Sequence, residues 1–285
     1  MSQGIFSKNY LTTNSSFSPL ASISVATYNI THMIMLVASR TLFWHTRKRF
    51  VVHLIRMADP DILCLQEDFP PQLSYIVRHT GYASISYKSR DLFNKERDAI
   101  LYKHSLFSLQ DSGQFFLSAT PERKSKVLEA RSYHHCTWAK LKHHVTKKEL
   151  FVFNAHFPVP IKDESRAVIG KALGEEIRKI SQSAPFVLCG DFNTWPRPWF
   201  YDALGKDFID TFHLQPKAHQ VEYNTRQEWP GRTRKKAKER LDYIFIPESM
   251  KKGFLSYKIF RNKVFYKGKY WPPSDHCPVR VELAL

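Results

Sequence analysis

The sequence has no apolar run that is long enough to cross a membrane. A bilayer-spanning helix needs about 20 mainly apolar residues, whereas the nearest candidate, residues 33–38, has six. The N-terminal residues also lack a basic start followed by a continuous apolar core, which is the pattern of a secretory signal. We therefore expect residues 1–21 to form a poorly ordered polar leader and the protein to be cytoplasmic.

Cysteine is also scarce, and its spacing excludes a common class of metal site. The four cysteines form no C-x-x-C pair, so the sequence offers no zinc-binding motif. Cys64 and Cys189 stand inside the apolar runs DILCLQ and FVLCGD, as expected of small buried core residues. This cysteine usage agrees with a reducing compartment.

Acidic residues are few relative to basic ones. The chain has 43 Lys and Arg against 26 Asp and Glu, which gives a formal net charge of +17. An excess of this size attracts anionic partners and speeds their encounter with the protein. Nucleic acid, anionic lipid headgroups and polyphosphates all fit, and charge alone does not decide among them.

Strand-like and helix-like segments are mixed along the whole chain. Apolar and β-branched runs predict strands, and amphipathic periodicity predicts helices. The predicted strands are 23–29, 61–67, 98–102, 137–142, 150–157, 185–193, 241–246 and 277–283; the predicted helices are 46–58, 70–81 and 163–181, the last with Asp163 as its N-cap. Because no Gly/Ser-rich linker interrupts them, we expect one α/β or α+β domain of layered sheets over residues 22–285.

Polar side chains cluster at the ends of these strands. In the stretch VLCGDFN, Asp191 and Asn193 are two residues apart and face the same side of an extended chain. An Asx-rich turn is the alternative for this stretch taken alone. In mixed sheets the end of one strand and the start of its neighbour share an edge. The polar residues expected to meet at that edge are Asn29, Glu67, His156, Asp191, Asn193, Asp242, Asp275 and His276.

These residue types supply what phosphoester hydrolysis needs. Glu67 and Asp191 are hard oxygen ligands that suit magnesium, with manganese as a substitute. His276 has carboxylates available to orient its imidazole. Asn193 and His156 can donate hydrogen bonds to a phosphoryl oxygen. Taken singly each signal is weak, because a strand histidine such as His156 is more often a satisfied core residue.

The order of the motifs resembles that of a known superfamily. TYNI, PDILCLQE, FNAHF, CGDFN, RLDYIF and PSDHCPV are similar to the successive signatures of the endonuclease/exonuclease/phosphatase superfamily, which includes pancreatic-type deoxyribonucleases and abasic-site endonucleases. FWHTRKRFVVHLI resembles the Trp-x-x-Arg helix start of that family. The resemblance runs from about residue 24 to residue 282. It implies a four-layer α/β/β/α sandwich of two mixed sheets flanked by helices, with the site at one rim.

The resemblance also implies a metal site. Glu67 matches the metal-binding glutamate of the family, and Asn29 matches an asparagine that supports both the metal and the phosphate of the substrate. Asp275 matches a further metal ligand. Asp68 departs from the family pattern, because an apolar residue usually follows the glutamate, and it adds negative charge near the metal.

Five further positions match catalytic residues of the family. Asp191 matches the aspartate that positions or activates the attacking water, and Asn193 matches its partner in the transition state. His156 matches a phosphate-contacting histidine. His276 matches a second histidine, a general base or phosphate binder oriented by Asp242. The resemblance leaves open whether Asp191 or His276 takes the proton.

A basic stretch precedes Asp242. Residues 231–240, GRTRKKAKER, place Arg232, Arg234 and Lys235, together with Arg240, next to a strand whose start we expect at the active rim. Such a stretch fits the backbone of a nucleic acid. The alternatives are a solvated loop or a localisation signal.

An aromatic stretch, TWPRPWFY, follows Asn193. Trp195 is placed to stack on a base of nucleic acid, or to enter a lipid interface. Phe200 and Tyr201 are expected to pack between sheet and helix.

Three functions are consistent with the sequence. The first is a monomeric, magnesium-dependent nuclease or phosphodiesterase that acts on DNA or RNA, its anionic phosphoester substrate. The alternative is a lipid-directed member, sphingomyelinase-like or a phosphoinositide phosphatase, with peripheral contact to an anionic membrane. The third is a catalytically dead relative that binds nucleic acid or protein. The complete set of catalytic residue types argues against the third.

Overall fold

The structure is a computed structural model, and it describes residues 21–33, 43–88, 96–220, 223–227, 239–261, 263–266 and 268–285. The expected leader, apart from residue 21, lies outside the described residues. So do Arg232, Arg234 and Lys235 of the basic stretch.

Strands outnumber helices, as the sequence predicts. The helices are α1 (Trp44–Ala58), α2 (Pro70–Thr80), α3 (Asp163–Ser181) and α4 (Pro198–Leu204). The strands are β1 (Ser22–Asn29), β2 (Ile62–Gln66), β3 (Ala83–Ile85), β4 (Ile100–Tyr102), β5 (Phe107–Phe116), β6 (His135–His143), β7 (Glu149–His156), β8 (Phe186–Asp191), β9 (Phe208–Asp210), β10 (Asp242–Pro247), β11 (Phe254–Ile259), β12 (Val264–Tyr266), β13 (Lys269–Trp271) and β14 (Val279–Ala284).

The strands form two mixed six-stranded sheets and a two-stranded one. The first sheet has the order β11-β14-β1-β2-β4-β3, and the second has the order β5-β6-β7-β8-β10-β9. In each large sheet a single adjacent pair, β1–β2 or β7–β8, is parallel. Strands β12 and β13 pair only with each other.

Both faces of each large sheet are covered, because successive side chains of a strand enter different buried clusters. The sheets and helices therefore stack in four layers. Val25 and Cys64 of the first sheet and Val187 of the second belong to one buried cluster between the sheets. Ala26, which points to the opposite face of β1, packs with α1 and α2. A Phe-rich cluster on the outer face of the second sheet packs with α3 and α4. The four-layer α/β/β/α sandwich is confirmed.

Some local features differ from the sequence prediction. Asp163 is the first residue of α3, whereas Lys162 occupies the N-cap position and no side chain caps the helix. Asp163 therefore acts through its charge near the positive end of the helix dipole. The prediction did not include α4 or the short strands β3, β9, β12 and β13, which are too brief for a periodic pattern to show. It also did not include the longer strands β5 and β11. In β5 the polar run QDSGQ interrupts the apolar pattern.

The cysteines and the membrane prediction have simple outcomes. All four cysteines are free and buried. Among the described residues, no helix is long and apolar enough to span a bilayer.

Candidate active site

Three site residues form a row across neighbouring strands of the second sheet. His156 of β7 pairs in register with Asp191 of β8, and Asp191 pairs in register with Asp242 of β10. Gly190 permits this arrangement, because a Cβ atom at that position would lie 2.0 Å from the carbonyl oxygen of Ala155. The Gly-Asp pair thus brings β8 close to β7 and ends the strand with a carboxylate at the rim.

Asn29 joins the first sheet to this row. Its Nδ2 donates hydrogen bonds to Asp191 Oδ2 at 2.9 Å and to Glu67 Oε1 at 3.0 Å. Its Oδ1 accepts from the backbone N–H of Thr31 at 2.9 Å. The amide of Asn29 is therefore held at both ends, and it places the glutamate of one sheet beside the aspartate of the other.

His276 lies between two carboxylates. Its Nδ1 is 2.8 Å from Asp242 Oδ2, and its Nε2 is 3.6 Å from Asp191 Oδ2. Burial lowers the pKa of His276, but the carboxylates of Asp242 and Asp191 outweigh burial and raise it to about 10. His276 is therefore held as an imidazolium at neutral pH.

His156 has a carboxylate partner that the sequence prediction missed. Glu96 Oε2 lies 3.2 Å from His156 Nδ1, and Asp191 Oδ2 lies 3.9 Å from His156 Nε2. Burial opposes the charge of His156, but these carboxylates raise its pKa well above the ordinary value. Burial likewise raises the pKa of Glu96, yet His156 lowers it to about 2. The sequence analysis selected polar residues at the ends of predicted strands. Glu96 was not among them, because it precedes β4 by several residues.

Asn193 borders both His156 and the following chain. Its Nδ2 is 3.1 Å from His156 Nε2 and donates to Phe157 O at 2.9 Å. Its backbone N–H donates to Asp191 Oδ1 at 2.9 Å, which is the Asx-type turn expected as the alternative. Turn and site coincide here, because the turn is what brings the carboxamide over His156.

The metal-ligand candidates Glu67 and Asp275 are anchored through the chain after β1. The backbone N–H of His32 donates to Glu67 Oε2 at 2.6 Å, and Thr31 Oγ1 donates to Asp275 Oδ1 at 2.6 Å. Thr31, Glu67 and Asn193 all have positive φ, at 62°, 58° and 49°. For a β-branched residue such as Thr31 this backbone is strained, and such strain is typical of functional sites.

The donor set fits a hard divalent cation. Burial, and then the neighbouring Glu96, raises the pKa of Glu67, and a cation bound beside the carboxylate would oppose both effects. Carboxylate and carboxamide oxygens of Glu67, Asn29 and Asp275 are the ligand types that Mg²⁺ or Mn²⁺ prefers. These residues line or border a cleft of about 590 Å³ that also contains Glu96, His156, Asp191 and His276.

Two other groups of side chains are compact enough to share an ion: Glu96, His134 and His156, and Asp191, Asp242 and His276. Each contains a histidine whose pKa is raised, His156 or His276. With no cation bound, both histidines are charged donors that suit an anionic oxygen such as that of a phosphate.

Buried arginines support the site from behind. Arg47 of the Trp-x-x-Arg segment donates to the carbonyl oxygens of Ile30, Thr31, His32 and Pro273. Arg47 is buried, and it ties the chain after β1 to the chain before Asp275.

Arg240 corrects the prediction for the basic stretch. It is fully buried, and its guanidinium binds both carboxylate oxygens of Asp210, at 2.7 and 3.0 Å. The guanidinium also lies over the aromatic rings of Phe212 and Tyr243, 4.5 and 4.3 Å from their centroids. Arg240 therefore braces the start of β10 and is not available to a nucleic acid.

The remaining predicted residues have distinct environments. Trp195 is exposed beside the site, whereas Phe200 is buried in the outer core as predicted. Asp68 is buried and accepts a hydrogen bond from Ala99 N at 3.2 Å. Burial raises the pKa of Asp68 to about 7, so it adds less negative charge near Glu67 than the sequence alone indicates.

Comparison with known proteins agrees with this geometry. The family model described as endonuclease/exonuclease/phosphatase family matches residues 26–276, which is most of the chain. The chain belongs to this family. Its members are phosphoesterase hydrolases and generally depend on a divalent metal, so the protein is a phosphoester hydrolase by family.

Individual relatives are distant. Nocturnin of Drosophila melanogaster is 29% identical over 185 residues, which covers 59% of this chain and 27% of that protein. The chain spans 27% to 55% of the length of the curated relatives it matches.

Two solved structures from Bacteroides thetaiotaomicron both superpose with a TM-score of 0.80. A family protein is 26% identical and covers 92% of this chain and 98% of that chain. A mannosyl-6-phosphatase is 25% identical and covers 92% of this chain and 100% of that chain.

Proposed function

We propose that the protein is a magnesium-dependent nuclease or phosphodiesterase that hydrolyses phosphodiester bonds of DNA or RNA. The observation that carries the proposal is the position of Asp191 Oδ2, which lies 3.6 Å from His276 Nε2 and 3.9 Å from His156 Nε2. Two histidine rings and one carboxylate thus surround a single small volume. A tetrahedral phosphoryl group needs cationic donors and a water-orienting base in that arrangement.

The charges assign the roles. We assign Asp191 as the group that orients the attacking water and accepts its proton. His276, with its pKa raised to about 10, is a charged donor to a phosphoryl oxygen, and Asp242 orients it. His156, oriented by Glu96, is the second charged donor, and Asn193 lies beside it to donate from its amide. This chooses Asp191 over His276 as general base.

Glu67, Asn29 and Asp275 are the residues that would hold the magnesium ion, with manganese as a substitute. When bound, such an ion polarises the phosphoryl group and offsets its developing charge. The contribution of this chain is to hold the ligands in place through the hydrogen bonds of His32 and Thr31.

Charge supports a nucleic acid as the substrate. The net charge is +17. Arg226 and Glu239 hydrogen-bond to each other at the rim. The basic residues Arg232, Arg234 and Lys235 lie between these two in sequence. A polymer with regular negative charge gains most from such an excess. Within this proposal the protein acts as a cytoplasmic monomer, and Asn29, His156 and Trp195 contact the substrate.

A phosphomonoesterase that acts on a sugar phosphate is the second candidate. The likeness to the mannosyl-6-phosphatase favours it, because that structure is matched over 92% of this chain. The two candidates share the same site and differ in the number of ester bonds on the phosphate.

A substrate panel tests the proposal. It contains plasmid DNA, single-stranded RNA, a chromogenic phosphodiester, mannose 6-phosphate, sphingomyelin vesicles and a phosphoinositide set, each with Mg²⁺ and with chelator. We expect chelator-sensitive cleavage of DNA or RNA. Activity confined to mannose 6-phosphate establishes the second candidate, and activity confined to lipid establishes the membrane-directed alternative; either overturns the proposal.

A further inference from the structure

A second groove adjoins the catalytic cleft. Its volume is about 340 Å³, within the range of about 300–1,000 Å³ that is usual for ligand sites. The groove and the cleft share Val159, Asn193 and Arg226. Because Asn193 also borders His156, a molecule with a phosphate at the catalytic centre can extend into the groove without leaving the protein surface.

The chemistry of this groove differs from that of the cleft. The cleft is lined by carboxylates, whereas the groove brings together Arg166, Arg197 and Arg226 against two carboxylates, Asp163 and Glu239. Arg226 Nη1 is paired with Glu239 at 3.1 Å, and Arg166 Nη1 with Asp163 at 3.0 Å.

Arg166 retains donor capacity. Its Nε is buried and has no hydrogen-bond partner among the residues that the structure describes. A buried donor that lacks a partner costs free energy unless a ligand satisfies it. The guanidinium of Arg166, which lines the groove, can also attract an anion there through its charge.

Trp195 gives the groove an aromatic surface. The indole is 46% exposed, although large apolar side chains are usually covered by other groups. The guanidinium of Arg197 lies 5.5 Å from the ring centroid. A cation–π contact of this kind holds the indole in place, and an exposed aromatic ring is a common platform for the stacking of nucleic-acid bases.

We propose that this groove binds the nucleotide next to the scissile phosphate, with its base on Trp195 and its own phosphate on Arg166 and Arg197. The inference rests on the proposed nuclease function and deepens it. The enzyme then binds a phosphodiester that is flanked by a nucleobase more tightly than it binds an isolated phosphate or an abasic backbone.

Equilibrium binding tests the groove separately from catalysis. The full-length Asp191→Asn protein is titrated calorimetrically, with Mg²⁺, against a 5′-phosphorylated dinucleotide and against the same backbone without bases. Trp195→Ala is expected to weaken binding of the base-bearing probe by about 10- to 100-fold and to leave the abasic probe unchanged. Arg197→Ala is expected to weaken both. Phe265→Ala, which removes another exposed aromatic ring, on β12 and outside the groove, is the matched control.

The outcomes separate the two proposals. Equal affinity for both probes, or an equal loss in the Phe265→Ala control, overturns the groove assignment even if the wild-type protein cleaves DNA or RNA. A base-dependent affinity that Trp195→Ala abolishes supports the groove even if the substrate panel shows a different bond being cleaved. Thermal melting of each variant identifies a loss of fold, and Arg197→Lys then replaces a variant that melts early.

Discussion

Asp191 and Asp242 face each other as directly paired residues of the antiparallel strands β8 and β10. Two carboxylates side by side repel each other unless a cation lies between them, and His276 is placed to be that cation, at 2.8 Å from one and 3.6 Å from the other. Successive apolar residues of both strands pack alternately into the outer cluster and the cluster between the sheets. The register that this packing fixes therefore sets the geometry of the site.

Replacement of Asp191 by alanine is expected to reduce hydrolysis by at least about 100-fold, the usual lower limit for loss of a general base. Steady-state kinetics on the substrate identified by the panel measure the loss. Asp202→Ala, which removes an exposed carboxylate from α4, is the matched control and should keep wild-type activity. An Asp191→Ala variant that is folded and retains most of its activity would contradict the assignment.

Glu67→Gln is expected to weaken Mg²⁺ binding by at least about 10-fold. Loss of a residue that only supports a metal ligand already lowers affinity by about this factor, and Glu67 is proposed as a ligand itself. Isothermal titration of the metal alone measures this without any substrate. Glu248→Gln removes an exposed carboxylate just beyond the end of β10 that is opposite to Asp242, and it serves as control. Equal Mg²⁺ affinity in both variants would place the metal elsewhere.

Glu96→Gln is expected to lower the pKa of His156, since Glu96 is the main charge that favours its imidazolium form. NMR titration of the His156 ring nitrogens reports the change directly. Activity at neutral pH should fall as well, and it should recover partly at lower pH, where His156 regains its proton. A purely structural role for Glu96 would leave the titration of His156 unmoved.

Arg240→Met is expected to destabilise the protein by about 3–5 kcal/mol, because it leaves the buried carboxylate of Asp210 without its partner. Urea unfolding measures the difference. Lys251→Met removes the cation of an exposed pair with Glu248, and it should cost less than about 1 kcal/mol. Similar losses in the two variants would show that the burial of Arg240 contributes little.

His134 is expected to make the protein acid-sensitive. Burial, followed by the nearby charge of His156, lowers the pKa of His134 to about 4. In the unfolded chain the imidazole of His134 is protonated below about pH 6.5, whereas in the folded protein it is protonated only below about pH 4. The free energy of unfolding therefore falls as the pH drops through this interval. His134→Asn should remove that part of the loss. Urea unfolding of both proteins at pH 7 and pH 4.5 tests it, and parallel pH dependences would contradict it.

The sequence was sufficient for the elements with long periodic patterns. The predicted helix 163–181 coincides with α3. The predicted strand 23–29 differs from β1 by one residue at its start, and the predicted strand 150–157 is shifted by one residue relative to β7. Long amphipathic or apolar runs have one favourable packing, so local pattern and fold agree. Short elements such as β9 are held by their neighbours in the sheet, which a local pattern does not contain.

The candidate site shows the same division. His156 and Asp191 stand at the ends of apolar runs, and a polar residue in that position is visible in the sequence. Glu96 is not visible in this way, because only the approach of two distant segments brings it to 3.2 Å from His156. Arg47 and Arg240 look like surface cations in the sequence, and their burial depends on carbonyl and carboxylate partners from other parts of the chain.

The sequence by itself determined the layered fold, the family and the residue types at the rim, because strand periodicity and motif order are local properties. Tertiary structure alone decided which carboxylate partners each histidine, which arginines are buried, and that a groove with Trp195 continues from the cleft. Those relationships depend on distances between segments that are far apart in sequence, as in the hydrogen bond between Asn29 and Asp191, which are 162 residues apart. Burial then changes the charge states of these groups, and the charge states fix what each of them can do in the proposed reaction.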